Sequence, residues 1–209
     1  MVRAPKFNKQ SGLTLVEVSI SSVLLAFIGY ILTTSMDIGL RSHETVSESI
    51  NSMEVLRKTA RGLRDSLRTA SDTSVTVTTL TSGDSQLTIQ EPLTVSGALN
   101  WGVYDTRLGP TEEEHTRVGW SVRYTVVSVP DTSNPATGTR SDLRYRILDT
   151  GDSVRFEETI AEGLFQGGTS DPGFQVQKVG DLWEVTLQST GAFNNTKGPT
   201  TSMHVRARN

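Results

Sequence analysis

Histidine and cysteine, the commonest nitrogen and sulfur ligands and nucleophile partners, are scarce in this chain. His43, His115 and His204 are scattered along the sequence, and no cysteine is present, so thiolate nucleophiles, Cys-ligated metals and disulfides are excluded. The densest ligand run, Glu112-Glu113-Glu114-His115, reads as a solvated acidic turn in preference to a cation site. Asp149, Asp152 and Asp171 supply carboxylates without the D-x-D-x-D-G spacing of a calcium loop. HExxH, GxSxG, P-loop and GxGxxG spacings are all missing. Asn194-Asn195-Thr196 matches a glycosylation sequon, a three-residue pattern that carries little weight by itself. Trp101, Trp120 and Trp183 read as core or sheet-face residues. The pattern points to no catalytic residues, no metal and no cofactor.

The informative chemistry is a single carboxylate in an apolar run. Residues 13–32, LTLVEVSISSVLLAFIGYIL, carry one charge, Glu17. Twenty helical residues rise about 30 Å, the thickness of a bilayer's hydrocarbon core. A carboxylate at the centre of such a span costs roughly 2.5–3.5 kcal/mol, and less near the interface. Two readings follow: Glu17 snorkels to the headgroups, or it neutralises a cation on another subunit. Residues 1–12, MVRAPKFNKQSG, hold Arg3, Lys6 and Lys9 and no acid, which orients the N-terminus to the cytoplasm. A secretory signal would place its small-residue cleavage site after the apolar stretch. Here Ser11-Gly12 precedes it, and no A-x-A-like site follows.

In the stretch Ser11-Gly12-Leu13-Thr14-Leu15-Val16-Glu17-Val18 the chain resembles the type IV prepilin and pseudopilin family. A basic leader ends in Gly, a short apolar tetrad follows, and Glu is the fifth residue of the cut chain. The resemblance covers about the first 35 residues. It implies cleavage between Gly12 and Leu13 by a membrane-embedded prepilin peptidase, N-methylation of Leu13, and alignment of the subunit in a filament by Glu17. Leu13 stands where the family often has Phe. Loss of the leader would remove three cations, leaving 17 Lys+Arg against 23 Asp+Glu, a formal −6.

These residues need an element to carry them beyond the membrane. Val46, Ile50, Met53, Leu56, Ala60, Leu63, Leu67 and Ala70 recur at helical spacing, and no proline interrupts residues 13–70. The spacing predicts one continuous helix whose apolar stripe packs on the chain's own domain. Glu44, Glu48 and Glu54 precede Arg57, Lys58, Arg61, Arg64 and Arg68, the order that complements a helix dipole.

The remainder alternates as strands between turn signals. Residues 75–80 and 86–90 flank Ser82-Gly83-Asp84; residues 143–148 and 154–159 flank a turn at 149–153; residues 174–179 and 182–187 flank Gly180-Asp181. WSVRYTVVSV at 120–129 is the strongest strand, SMHVRAR at 202–208 the last, and residues 91–116 and 130–141 read as long loops. The expected fold is α+β: a long N-terminal helix, membrane half then amphipathic half, packed on an antiparallel sheet head as a pilin-like lollipop. The divisions are 1–12 leader, 13–33 transmembrane, 34–70 amphipathic helix and 71–209 β-rich head. The pairing of LRYRIL with FEETIAEGL, then GFQV, LWEVTLQ and an Arg-bearing terminal strand, is similar in layout to larger minor pilins and pseudopilins, of the PilW and pseudopilin J kinds.

Apolar residues make up 35% of the 209, too few for a thick two-sided α/β enzyme, and the formal charge of −3 argues against nucleic-acid binding. The resemblance implies a minor pilin or minor pseudopilin that assembles into or primes a type IV pilus or type II secretion pseudopilus. Its partners would be other minor pilins or pseudopilins, the major pilin, the prepilin peptidase and the inner-membrane assembly platform. Tip-most pseudopilins typically lack the Glu, so Glu17 implies a subunit docked beneath another. The chain would sit in the inner membrane with its head in the periplasm, then move to a pilus or pseudopilus. The rival reading is a signal-anchored extracytoplasmic binding or enzymatic domain that keeps its leader.

Overall fold

The structure, a computed structural model, describes residues 14–131, 138–191 and 196–208. It is α+β: one long apolar N-terminal helix and an antiparallel sheet. The helix, α1, runs Leu15–Thr69. The chain divides into two compact units between Val46 and Ser47. Gly12 and Leu13 lie outside the described residues.

In the first unit every described residue from 14 to 44 is exposed. Hydroxyls in this apolar run turn back onto their own helix. Ser19 donates to the Leu15 carbonyl at 2.9 Å, Ser22 to Val18 at 2.9 Å and Thr34 to Tyr30 at 2.8 Å. An apolar medium requires that internal satisfaction, because no water is there to supply it.

In the second unit the helix residues carry a stripe into the core. Leu56, Leu63 and Leu67 are at most 1% exposed, with Thr59 and Ala60 beside them. Val46 and Ile50, expected in the same packed stripe, are 54% and 61% exposed. The stripe's periodicity begins earlier than the surface that covers it, so packing starts near Met53, which is half-buried.

The strands are β1 Val75–Thr79, β2 Ser85–Ile89, β3 Glu91–Val95, β4 Ala98–Tyr104, β5 Thr116–Val118, β6 Ser121–Pro130, β7 Thr139–Leu148, β8 Val154–Leu164, β9 Phe174–Val179, β10 Leu182–Thr190 and β11 Lys197–Val205. The main sheet orders them β1-β2-β6-β7-β8-β10-β11, with β9 on β10. β10 meets β8 only at Ser189 and Leu164, and β9 occupies the rest of that edge. Alternation decides the faces. Val122, Tyr124 and Val126 of β6 point to the core with Leu143, Tyr145 and Ile147 of β7, whereas Arg123, Arg144 and Arg146 take the other face. All three expected hairpins form, and the β9–β10 turn is Gly180-Asp181, with Gly180 at φ 62°.

Both stretches read as loops contain strand residues. Residues 91–116 fold into a small sheet, β3-β4-β5, plus the one-turn helix α2, Glu112–His115. β3 and β4 join through Ser96 and Gly97, both at positive φ (54° and 79°), as a two-residue hairpin requires. Of residues 130–141, Pro130 ends β6 and residues 139–141 begin β7, the two strands pairing from Pro130 with Thr139 onward. Residues 132–137 of that stretch lie outside the described residues.

The terminal segment returns to the helix. The Arg208 amide donates to the Ala70 carbonyl at 2.9 Å and the Asp72 amide to the Arg208 carbonyl at 3.2 Å. Ser71 and Arg208 thereby form a parallel bridge beyond the last turn of α1.

Candidate functional site

Glu17 sits in the first turn of α1, where Thr14 precedes the helix. The Thr14 amide and hydroxyl donate to Glu17 Oε2 at 2.8 and 2.9 Å, and the Glu17 amide donates to Thr14 Oγ1 at 3.3 Å. This is a capping box, T-x-x-E, in which each side chain satisfies the other's open amide. The signal was present in Thr14-Leu15-Val16-Glu17 and escaped the sequence reading, which weighed Glu17 only as a membrane charge. From this turn onward α1 is long and apolar enough to cross a membrane, and none of its apolar window is buried.

The remaining expected ligands are dispersed or engaged. His43 belongs to the first unit, on the exposed helix. His115 ends α2, its Nε2 2.9 Å from the Gly109 carbonyl and its ring edge-on to Tyr104. His204 lies on β11 with Nε2 3.6 Å from Glu184. Glu114 turns back to accept the Thr111 amide at 3.2 Å, so part of the acidic run caps its own helix. Asp149 accepts from the Gly151 and Ser153 amides and from Arg155 Nε, at 2.8, 3.0 and 2.8 Å. The Ser153 amide, then Arg155 and the Gly151 amide, hold its carboxyl below the usual range. Asp152 pairs with Arg123 at 2.9 Å and Asp171 with Lys197 at 2.5 Å. Among the described residues no group of three His, Asp or Glu is placed to hold a metal ion.

The tryptophans form no common platform. Trp183 is buried, its Nε1 donating to Asp72 at 3.1 Å; Trp120 packs at the core's margin under Arg117; Trp101 sits in β4. Asn194 and Asn195 of the sequon lie outside the described residues.

The densest polar cluster was not anticipated. Asp105, at the end of β4, is 8% exposed and accepts Arg107 Nε at 2.9 Å, Arg107 Nη2 at 2.6 Å and the Tyr145 hydroxyl at 2.7 Å. The Arg107 guanidinium lies 4.5 Å from the Tyr145 ring centroid and 4.7 Å from that of Phe156, and also pairs with Glu158. Tyr124 stands edge-on to Tyr145 and shares a 2.8 Å hydrogen bond with Ser66 of α1. Burial pushes the Tyr124 phenol up to about 12, and burial with the Asp105 bond raises that of Tyr145 further. Both phenols stay neutral, and Tyr145 donates to an ionised Asp105. The arrangement pins the small sheet and the helix to β6–β8. Residues spread over positions 66 to 158 leave no local sequence motif for it.

The molecule so defined is an α+β chain with one candidate membrane helix at its N-terminus. No protein family, curated protein or solved structure compared with the chain matches it.

Proposed function

We propose that this chain is a minor pilin or minor pseudopilin, processed between Gly12 and Leu13 and assembled through α1 into a type IV pilus or type II secretion pseudopilus. The observation that carries the reading is the bare apolar surface of α1. Leu15, Val18, Leu24, Phe27, Ile31 and Leu40 are 46–85% exposed with no cover among the described residues. A run of this kind needs lipid, a neighbouring helix or both. The Gly12-Leu13 and Glu17 motif at its start supplies the processing and assembly chemistry. Leu13 would be N-methylated, and the leader would stay on the cytoplasmic side of the inner membrane while the β-rich domain faces the periplasm. Its partners would be other minor subunits, the major pilin, the prepilin peptidase and the assembly platform.

Intact mass and N-terminal sequencing of protein recovered from membranes containing active prepilin peptidase test this directly. A chain beginning at methylated Leu13 is expected. An uncut Met1, with a control substrate cut in the same membranes, would sink the assignment; a start beyond Leu32 would mean an ordinary signal peptide.

One observation favours the rival, an anchored extracytoplasmic binding or enzymatic domain that retains its leader. The capping box gives Glu17 work inside its own helix, so a plain anchor also benefits from a carboxylate there. The same mass measurement separates the two.

A further inference from the structure

The arginines of the second unit differ in their pairing. Arg107, Arg123, Arg140, Arg144, Arg146 and Arg155 pair with carboxylates, whereas Arg117 of β5 reaches the Glu113 carbonyl at 3.5 Å. On α1, Arg57, Arg61, Arg64 and Arg68 recur at spacings of 4, 3 and 4, one residue after the buried Leu56, Ala60, Leu63 and Leu67. That offset puts them in one row along the margin of the packed stripe. Among the described residues, none of these four has a carboxylate within ion-pair reach, nor does Arg208.

The end of the chain brings a second row against the first. His204, Arg206 and Arg208 alternate outward while Val205 and Ala207 are buried. The Arg208–Ala70 and Asp72–Arg208 backbone bonds fix this segment beside the last turn of α1. Between the rows lies an open groove of about 670 Å³, lined by Arg64, Arg68, His204, Arg206 and Arg208 over the backs of Val205 and Ala207. The counter-charges nearby are weakly held: Asp181 is 3.8 Å from Arg206 and Glu184 is 3.6 Å from His204. The helix dipole favours a cation in the last turn, which accounts for Arg68 but for none of the strand residues.

We propose that this groove binds a phosphoryl group. The lining carries four guanidinium groups and no carboxylate, on two segments whose relation is fixed by backbone bonds. Planar forks suit the paired oxygens of phosphate and pyrophosphate. The same chemistry is available from a free phosphate or from a phospholipid headgroup.

The test uses the full chain in neutral-detergent micelles at about 0.15 M salt, where the Debye length is about 8 Å, titrated calorimetrically with inorganic pyrophosphate. Arg64→Gln/Arg208→Gln is expected to weaken binding roughly tenfold or more, because two forks are lost. Arg57→Gln/Arg61→Gln, with the same charge change outside the groove, is expected to change it by less than about twofold, since exposed charges there are screened. Arg64→Lys/Arg208→Lys keeps the charge and removes the forks, and is expected to fall between the two. The variant sites are exposed, and matched unfolding midpoints identify any variant that fails to fold. A second arm adds phosphatidylglycerol vesicles to the chain held in phosphatidylcholine nanodiscs. Retention that depends on Arg64 and Arg208 assigns a headgroup; pyrophosphate binding without such retention assigns a free phosphate; both support the site. No pyrophosphate binding, equal loss in both Gln pairs, or equal affinity for oligoglutamate would overturn it.

Discussion

Thr14 and Glu17 exchange hydrogen bonds across the first turn of α1, the Thr14 amide donating to Glu17 Oε2 at 2.8 Å and the Glu17 amide to Thr14 Oγ1 at 3.3 Å. Glu17 therefore has two available roles, helix cap and intersubunit counter-charge, and they answer differently to substitution. Glu17→Gln keeps an acceptor for the cap and removes the charge; Thr14→Val keeps the charge and removes the hydroxyl half of the cap. If assembly uses the charge, Glu17→Gln reduces filament incorporation about tenfold or more, because a buried pair loses one member, while Thr14→Val leaves it near normal. Quantitative blotting of sheared filaments against membranes measures both. Equal effects of the two substitutions would reduce Glu17 to a cap.

Processing is tested one step earlier in the sequence. Gly12→Leu replaces the small residue that the peptidase is expected to require before the cut, with no change in charge or in the apolar run. Uncut chain is the expected outcome, seen as an added leader mass in the membrane fraction. Normal processing of the variant would remove the prepilin reading.

The helix divides by environment, and truncations on each side of Val46 and Ser47 should differ. Leu63→Ala opens a cavity at a site with 0% exposure and is expected to cost about 2–5 kcal/mol. Leu24→Ala, at a residue 56% exposed in the first unit, removes no contact from the folded domain. Its unfolding midpoint in detergent should match the parent's. A comparable loss in both would mean that the two units unfold as one.

Much of this fold was legible because its periodicities are local. The apolar run and the stripe at 56, 60, 63 and 67 announce α1, and the alternation of Val122, Tyr124 and Val126 announces β6. The small sheet was missed where signals conflicted. Pro92 disfavours a central strand, yet β3 is an edge strand paired with β4, where a missing amide is tolerated. The Ser96-Gly97 dipeptide between EPLTV and ALNWGVY was the hairpin signal that outweighs it. Val46 and Ile50 show the opposite error: periodicity reports a helical face, and tertiary structure decides where that face is covered. Asp105, Arg107 and Tyr145 had no sequence signature, since their relation arises from sheet placement alone. For Gly12, Leu13 and Glu17 the motif remains the argument, and the structure adds the Thr14 cap.

The Asp105 cluster makes a prediction with a definite sign. Burial works to raise the Asp105 carboxyl, but the Arg107 side chain and amide, with the Tyr145 hydroxyl, outweigh it and hold the group below the usual range. A carboxylate depressed in the folded state contributes stability above its unfolded value of about 3.9, and that contribution is lost as pH falls through the folded value. Tyr145→Phe should cost about 1–3 kcal/mol at pH 7, since it removes one buried hydrogen bond to a charge. The difference should shrink as the pH drops below about 4. Urea midpoints of parent and variant from pH 7 to pH 3 measure it, and a constant difference would show that Asp105 stays ionised throughout.

Glu91 titrates in the opposite sense. It accepts the Thr69 hydroxyl at 3.2 Å, but burial first, and then the charge of Asp105, raise its carboxyl above the usual range. The ionised form is therefore disfavoured by folding. The penalty is complete above the raised folded value and vanishes as pH falls below the unfolded value of about 4.3. Glu91→Gln keeps an oxygen for Thr69 and discards the charge, so it should raise the unfolding midpoint at pH 7 and leave it unchanged near pH 3. Thermal midpoints of the two proteins at both pH values decide the matter. A loss of stability at pH 7 would mean that the Glu91 carboxylate is held by a cation in solution, with Arg68 in the last turn of α1, which has no carboxylate partner among the described residues, as the first to test.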